Sequence, residues 1–129
     1  MNAPALSFDM PGLGPQLASL SEAELDMLDF GVIGFDGATV VCRYNQLESA
    51  EAGLSPQRVL GQPLFTNVAP CMNNFMVAQR LQDALETGVP LDETLDYVFT
   101  LRMRPVKVKL RLLAAPSLTY RYVVVQRAA

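Results

Sequence analysis

The stretch "FGVIGFDGATVVCRYN", residues 30–45, decides the architecture. Two apolar runs flank Asp36-Gly37, a turn-forming dipeptide, so the stretch reads as a β-hairpin. In its second strand Val40, Cys42 and Tyr44 fall on one face, because successive side chains alternate. Taken as the core face, it turns Cys42 and Tyr44 inward, with Cys42 a small buried apolar residue.

Helical signals follow the hairpin. "QLESAEAG" (46–53) suits a short helix stopped by Gly53. "SPQRVLG" (55–61) starts another, with Ser55 as cap, Pro56 at the first helical position and Gly61 as stop. "QPLFTNVAPC" (62–71) is a connection. "NNFMVAQRLQDALETG" (73–88) is the longest helix, with an apolar stripe of Val77, Leu81, Ala84 and Leu85 and Gly88 at its end. Ahead of the hairpin, "SEAELDMLD" (21–29) opens with Ser21 and Glu24 at capping-box spacing and predicts a short helix from 22 to 29. Residues 1–20, rich in Pro, Gly and Ala, read as a loosely structured lead-in with a helical turn near "GPQLASL".

The last forty residues alternate with period two. "ETLDYVFTLRM" places Leu95, Tyr97, Phe99, Leu101 and Met103 on one strand face. "VKVKLRLL" places Val106, Val108, Leu110 and Leu112 on one face and Lys107, Lys109 and Arg111 on the opposite, solvated one. "TYRYVVVQR" (119–127) is the fifth strand. The order strand, strand, helices, long helix, strand, strand, strand predicts an α+β fold. Its five-stranded antiparallel sheet carries short helices and one long connecting helix mostly on one face, covering a pocket. This is the layout of a PAS domain, a step taken by analogy. Residues 1–20 then form the lead-in and 21–129 a single domain.

Composition narrows the chemistry. The chain has 129 residues, half of them hydrophobic, which is enough for a core without staples. The net charge of −3 offers no basic surface for nucleic acid. Neither a membrane span nor a signal peptide is expected, so the reading is cytoplasmic, with both cysteines reduced. The chain contains no histidine, which removes Cys-His and Ser-His-Asp catalysis and His-ligated zinc; no metal and no enzyme activity are expected. Cys71 in "VAPCMNNF" (68–75) is left with three readings: a small buried residue, a nucleophile, or a point of covalent attachment.

Taken together, "LDFGVIGFDG", "RYNQLES", "PQRVLGQPLFTNVAPC", "DYVF", "MRPVKVK" and "YVVVQR" resemble the photoactive yellow proteins, small PAS-fold blue-light receptors that carry p-coumaric acid as a cysteine thioester. The resemblance runs from about residue 22 to the C-terminus. It implies that Cys71 carries the chromophore and that Tyr44 and Glu48 hydrogen-bond its phenolate. It implies a pocket wall at Val68, Ala69, Pro70 and Phe99, and a role in dark recovery for Met103. The implied function is light-driven trans-to-cis isomerisation, proton transfer from Glu48 to the phenolate, and loosening of the N-terminal segment as signal. The implied partners are the covalent chromophore and a downstream protein, with no nucleic acid or membrane, the receptor being a monomer or weak homodimer.

Those residue types suit the chemistry. A buried phenolate is costly unless donors surround it. A tyrosine hydroxyl and a protonated carboxyl supply two, so Glu48 is expected to be neutral in the dark, its pKa raised by desolvation. The expectation for Cys71 is a thiolate favoured by the following helix N-terminus.

The sequence departs from the family's pattern at Ala52 and Leu54, where a threonine and an arginine usually stand. Neither replacement can hydrogen-bond the tyrosine or the phenolate. Leu64 and Leu101 stand where aromatics are usual. The departures keep open a second reading, a PAS module that binds another small ligand or a protein partner without the pigment. A thiol enzyme is the third and weakest reading.

Overall fold

The structure is a computed structural model that describes residues 6–99 and 105–127. Its centre is one antiparallel sheet in the order β2-β1-β5-β4-β3, built from β1 (Gly31–Phe35), β2 (Val41–Tyr44), β3 (Leu91–Phe99), β4 (Val106–Ala114) and β5 (Arg121–Arg127). The N-terminal hairpin therefore meets the C-terminal meander through β1 and β5. Between β2 and β3 run α3 (Gln46–Ala52), α4 (Pro56–Val59), a π-helical turn (Leu64–Val68), a short 3₁₀ turn (Pro70–Met72) and α5 (Ala78–Thr87). These cover the front face, where Ile33, Val41, Tyr44, Leu64, Met72, Val77, Phe99, Leu110 and Val123 share one core.

The hairpin forms as expected, but its corner is wider than a two-residue turn. Asp36 organises it: its Oδ1 accepts from the amides of Ala38 at 2.9 Å and Val40 at 3.0 Å. The register slips between Gly34 and Phe35, which pair with Arg43 and Val41 and leave Cys42 as the extra residue of a β-bulge. The bulge corrects the expected face. Val41 and Tyr44 point into the front core and Cys42 is only half-buried. Desolvation, reinforced by the charge of Asp36, pushes its thiol pKa up.

The back face is covered as well, which composition did not suggest. Residues 6–20, expected to be loose, are seated here. α1 (Leu13–Ser19) and α2 (Glu22–Leu25) pack Phe8, Leu13, Leu17 and Leu25 against Phe30, Val32, Tyr122 and Val124. Two buried arginines hold this segment. Arg111 donates to the carbonyls of Phe8 (2.9 Å) and Met10 (2.7 Å) and forms a two-point pair with Asp92. Arg43 donates to the Leu17 and Leu20 carbonyls, to Tyr122 and to Glu22. Arg111 is thus buried instead of solvated, because the strand face it occupies faces protein. Double coverage also explains the unbroken apolar run Tyr122–Val125 in β5.

Local signals perform well where they are self-contained. The Ser21–Glu24 capping box is present, and α3 ends at Gly53 with φ 72°. The helix α2 is shorter than expected, stopping at Leu25. Ser55 makes no side-chain cap bond. α5 starts at Ala78 instead of 73, because Asn74 turns the chain by accepting from the amides of Met76 and Val77. Its Val77 and Leu81 are buried while Leu85 is exposed, and Val106 is exposed at the start of β4.

Candidate functional site

The site grows from the junction of β1, β2 and α3. Asn45 closes β2 and caps α3: its Oδ1 accepts from the amides of Val32 and Glu48, and its Nδ2 donates to the carbonyls of Leu25 and Phe30. α3 is thereby locked against β1, with Glu48 facing the sheet. Gly31 makes the approach possible, since a Cβ there would overlap Glu48 Oε1. A glycine inside a strand often marks such a close approach.

Glu48 is 3% exposed and meets Arg127 at the end of β5. Arg127 Nη1 donates to Oε1 at 2.7 Å and Nη2 to Oε2 at 3.2 Å, a two-point contact. Arg127 Nε also lies 3.4 Å from Glu51, and the guanidinium sits 5.5 Å over the Phe99 ring. Burial pushes the Glu48 carboxyl above its ordinary range, with the Arg127 hydrogen bonds pulling in the other direction. Tyr44, 5% exposed, is pushed well up by burial and then by the charge of Glu48, so its hydroxyl keeps its proton. Together Tyr44, Glu48, Glu51, Ala52, Leu54, Val68, Ala69, Met72, Phe99, Val106 and Arg127 with Ile33 line a pocket of about 90 Å³.

Cys71 faces a neighbouring open cleft of about 720 Å³, lined by Asn74, Met76, Asp96, Tyr97, Val98, Lys107 and Val108. Its carbonyl accepts from the Tyr97 hydroxyl and the Asn74 amide, which fixes the turn. The wall between the two openings is the edge-on ring pair Tyr97–Phe99, with centroids 6.0 Å apart. On β4 the cross-strand partners Val108 and Val106 divide between the two in the same way. On these two strands the lining residues of the two openings are thus one two-residue step apart, about 7 Å along the strand.

The chain is 31% identical to the photoactive yellow protein of Rhodothalassium salexigens over 107 residues, covering 83% of this chain and 85% of that protein. It is 34% identical to that of Halochromatium salexigens over 96 residues, covering 74% and 76%. The chain belongs to the photoactive yellow protein family. The photoactive yellow protein domain of the sensor histidine kinase Ppr from Rhodospirillum centenum superposes with a TM-score of 0.80 at 36% identity, covering 88% of this chain and 98% of that domain. The PAS domain of the quorum-sensing receptor RpfR from Cronobacter turicensis, solved with BDSF, superposes at 0.60 with 16% identity and shows the fold alone. No family model matches the chain. The fold is thus an α+β PAS domain.

Of the residues that the photoactive yellow protein resemblance singles out, the structure brings Tyr44, Glu48, Ala52, Leu54, Val68, Ala69 and Phe99 to one pocket. Leu64 is fully buried in the front core and does not line it, and Pro70 is exposed. Cys71 lies on the adjoining cleft. The expected helix N-terminus is not beside it, because Cys71 sits in a three-residue 3₁₀ turn and α5 begins at Ala78. Leu101 and Met103 lie outside the described residues. Sequence reasoning missed Arg127, Gly31, Glu51 and Met72. Only Gly31 carried a local signal, as a glycine in a strand; nothing near Arg127 in the sequence points to residue 48.

Proposed function

We propose that the protein is a cytoplasmic blue-light receptor that carries p-coumaric acid as a thioester on Cys71. Family membership supports the class, and the observation that carries the reading is the burial of Tyr44 and Glu48 in one pocket whose wall includes Ala69 and Met72, the residues on either side of Pro70-Cys71. The donor set suits a phenolate: a hydroxyl that keeps its proton, a carboxyl whose acid form burial favours, and a guanidinium. When bound, the group supplies blue absorption and isomerisation about its double bond.

Attachment requires an activated acyl donor, a p-coumaroyl thioester. Cys71 Sγ bonds to the acyl carbon, the bond from that carbon to the donor's sulfur breaks, and the Cys71 proton leaves with the departing thiol. Burial and the charge of Asp36 push the Cys42 thiol pKa up, which disfavours its thiolate. The 90 Å³ pocket is well below the ~300–1,000 Å³ of typical small-molecule sites. Met72, 1% exposed and in the pocket wall, is the flexible side chain that moves to admit the ring.

In the dark Glu48 holds a proton toward the phenolate, and in the light it gives that proton up. A buried carboxylate is then left at the α3–β1 junction, where Asn45 ties Glu48's helix to the Leu25 and Phe30 carbonyls. Strain there loosens the segment on the back face, which is read by a downstream protein. The receptor acts as a monomer or weak homodimer. The test is direct: purified protein is mixed with a p-coumaroyl thioester. The acyl mass should appear on Cys71, the solution should turn yellow, and blue light should bleach it reversibly. Failure to acylate, or a pigment that never bleaches, leaves a PAS module for another ligand.

A further inference from the structure

The Glu48–Arg127 pair poses a charge problem for any anion entering the pocket. One guanidinium faces one fully buried carboxylate through two hydrogen bonds, at 2.7 and 3.2 Å. Among the described residues, the charged and titratable groups facing Arg127 are Glu48 and Glu51 from α3 and Tyr44 from β2, with the Phe99 ring of β3 beneath it. Glu51 is about one-third exposed and lies at the rim, 3.4 Å from Nε. A second anion beside an ionised Glu48 would leave two buried negative charges on one cation, an arrangement that like-charge repulsion disfavours.

We propose that Arg127 is the residue that selects an ionised ligand oxygen in this pocket, and that it exchanges partners on loading. Before loading it holds the Glu48 carboxylate. On loading, the neutral phenol's proton passes to Glu48, the two-point pair opens, and Arg127 holds the phenolate. The pocket carries one buried cation and one buried anion before and after, with the proton conserved. Tyr44 is the one other buried proton acceptor facing Arg127 among the described residues, and it already carries its proton. Arg127 thereby supplies from β5 the positive charge that Leu54 does not supply from the end of α3. The inference rests on the pigment reading for the identity of the phenol, but not for the unloaded pair.

Two measurements test it. In unloaded protein, infrared spectroscopy should show no protonated buried carboxyl at neutral pH. Loading with p-coumaroyl thioester should make one appear, and Glu48→Gln should abolish it. A protonated carboxyl already present before loading overturns the exchange. In loaded protein, Arg127→Gln should raise the phenol's titration midpoint by ~1–3 units, the usual effect of removing a nearby opposite charge. Arg127→Lys should recover part of that shift. An unchanged or lowered midpoint in Arg127→Gln refutes the role. If Arg127→Gln does not fold, the infrared comparison on wild type and Glu48→Gln still decides the exchange. If wild type never acylates, the pigment reading fails, and the unloaded carboxyl in wild type and Arg127→Gln separately tests the pair. Glu48 should ionise at higher pH in Arg127→Gln, and an unmoved titration there refutes the pairing itself.

Discussion

Replacing Gly31 with alanine tests whether a missing side chain in β1 positions Glu48. An alanine Cβ would overlap Glu48 Oε1 and lie 3.2 Å from its carboxyl carbon and 3.3 Å from its Cβ. The carboxyl must retreat, and both Arg127 contacts, at 2.7 and 3.2 Å, stretch or break. Overpacking of this kind costs about 1–3 kcal/mol, and a hydrogen bond to a charged group contributes about 1.5–3 kcal/mol. Against this, alanine regains about 0.5–1 kcal/mol of the conformational penalty that glycine carries in a strand. The net expectation is a loss of about 2–4 kcal/mol, or roughly 10 °C in melting temperature for a domain of this size. Urea denaturation of the unpigmented protein measures it. The informative comparison is a double-mutant cycle with Glu48→Ala, which removes the obstructed group. In that background Gly31→Ala should cost less than about 1 kcal/mol, because the collision is gone. An equal penalty in both backgrounds would show that Glu48 is not what Gly31 accommodates.

Three further outcomes are expected. The Glu48 pKa is raised in the folded state. Its contribution to stability is therefore complete below the ordinary carboxyl value of 4.5 and is lost as pH rises through the higher folded value. Denaturation midpoints of Glu48→Gln should lack that decline, and parallel pH curves for the two proteins would contradict it. Met72→Ala should destabilise by about 2–5 kcal/mol, as for other buried methionines, yet speed acylation of Cys71 by opening the pocket wall. Slower or unchanged acylation would remove Met72 as the obstacle. Arg111→Met should leave the Phe8 and Met10 carbonyls without their donor and accelerate amide exchange across residues 8–20 at least tenfold, about 1.4 kcal/mol of local stability. Unaltered protection there would mean that apolar packing alone holds the segment.

Residues 21–24, 46–53 and 91–99 show what local chemistry settles. The capping box of Ser21 and Glu24, the left-handed stop at Gly53 and the period-two alternation of Tyr97 and Phe99 each depend on neighbours within a few positions. Cys42, Arg111 and residues 6–20 show where that chemistry stops. A one-residue bulge takes Cys42 out of the core register, and a second layer on the sheet turns a nominally solvated arginine into a buried clamp. Neither event leaves a periodicity to read.

The candidate site divides in the same way. Family resemblance and strand pattern pointed to Tyr44, Glu48 and Phe99, and these share a pocket. The cation that faces them is 79 positions from Glu48, and it arrives only because β5 pairs with β1 instead of forming an edge. From sequence alone came the element order and the α+β class, because these rest on short-range spacing, while Tyr44 and Glu48 were singled out by family resemblance. The tertiary structure alone decided which charge Glu48 meets, which opening Cys71 faces and what covers the back of the sheet. Those depend on strand order and burial, which no window of neighbouring residues encodes.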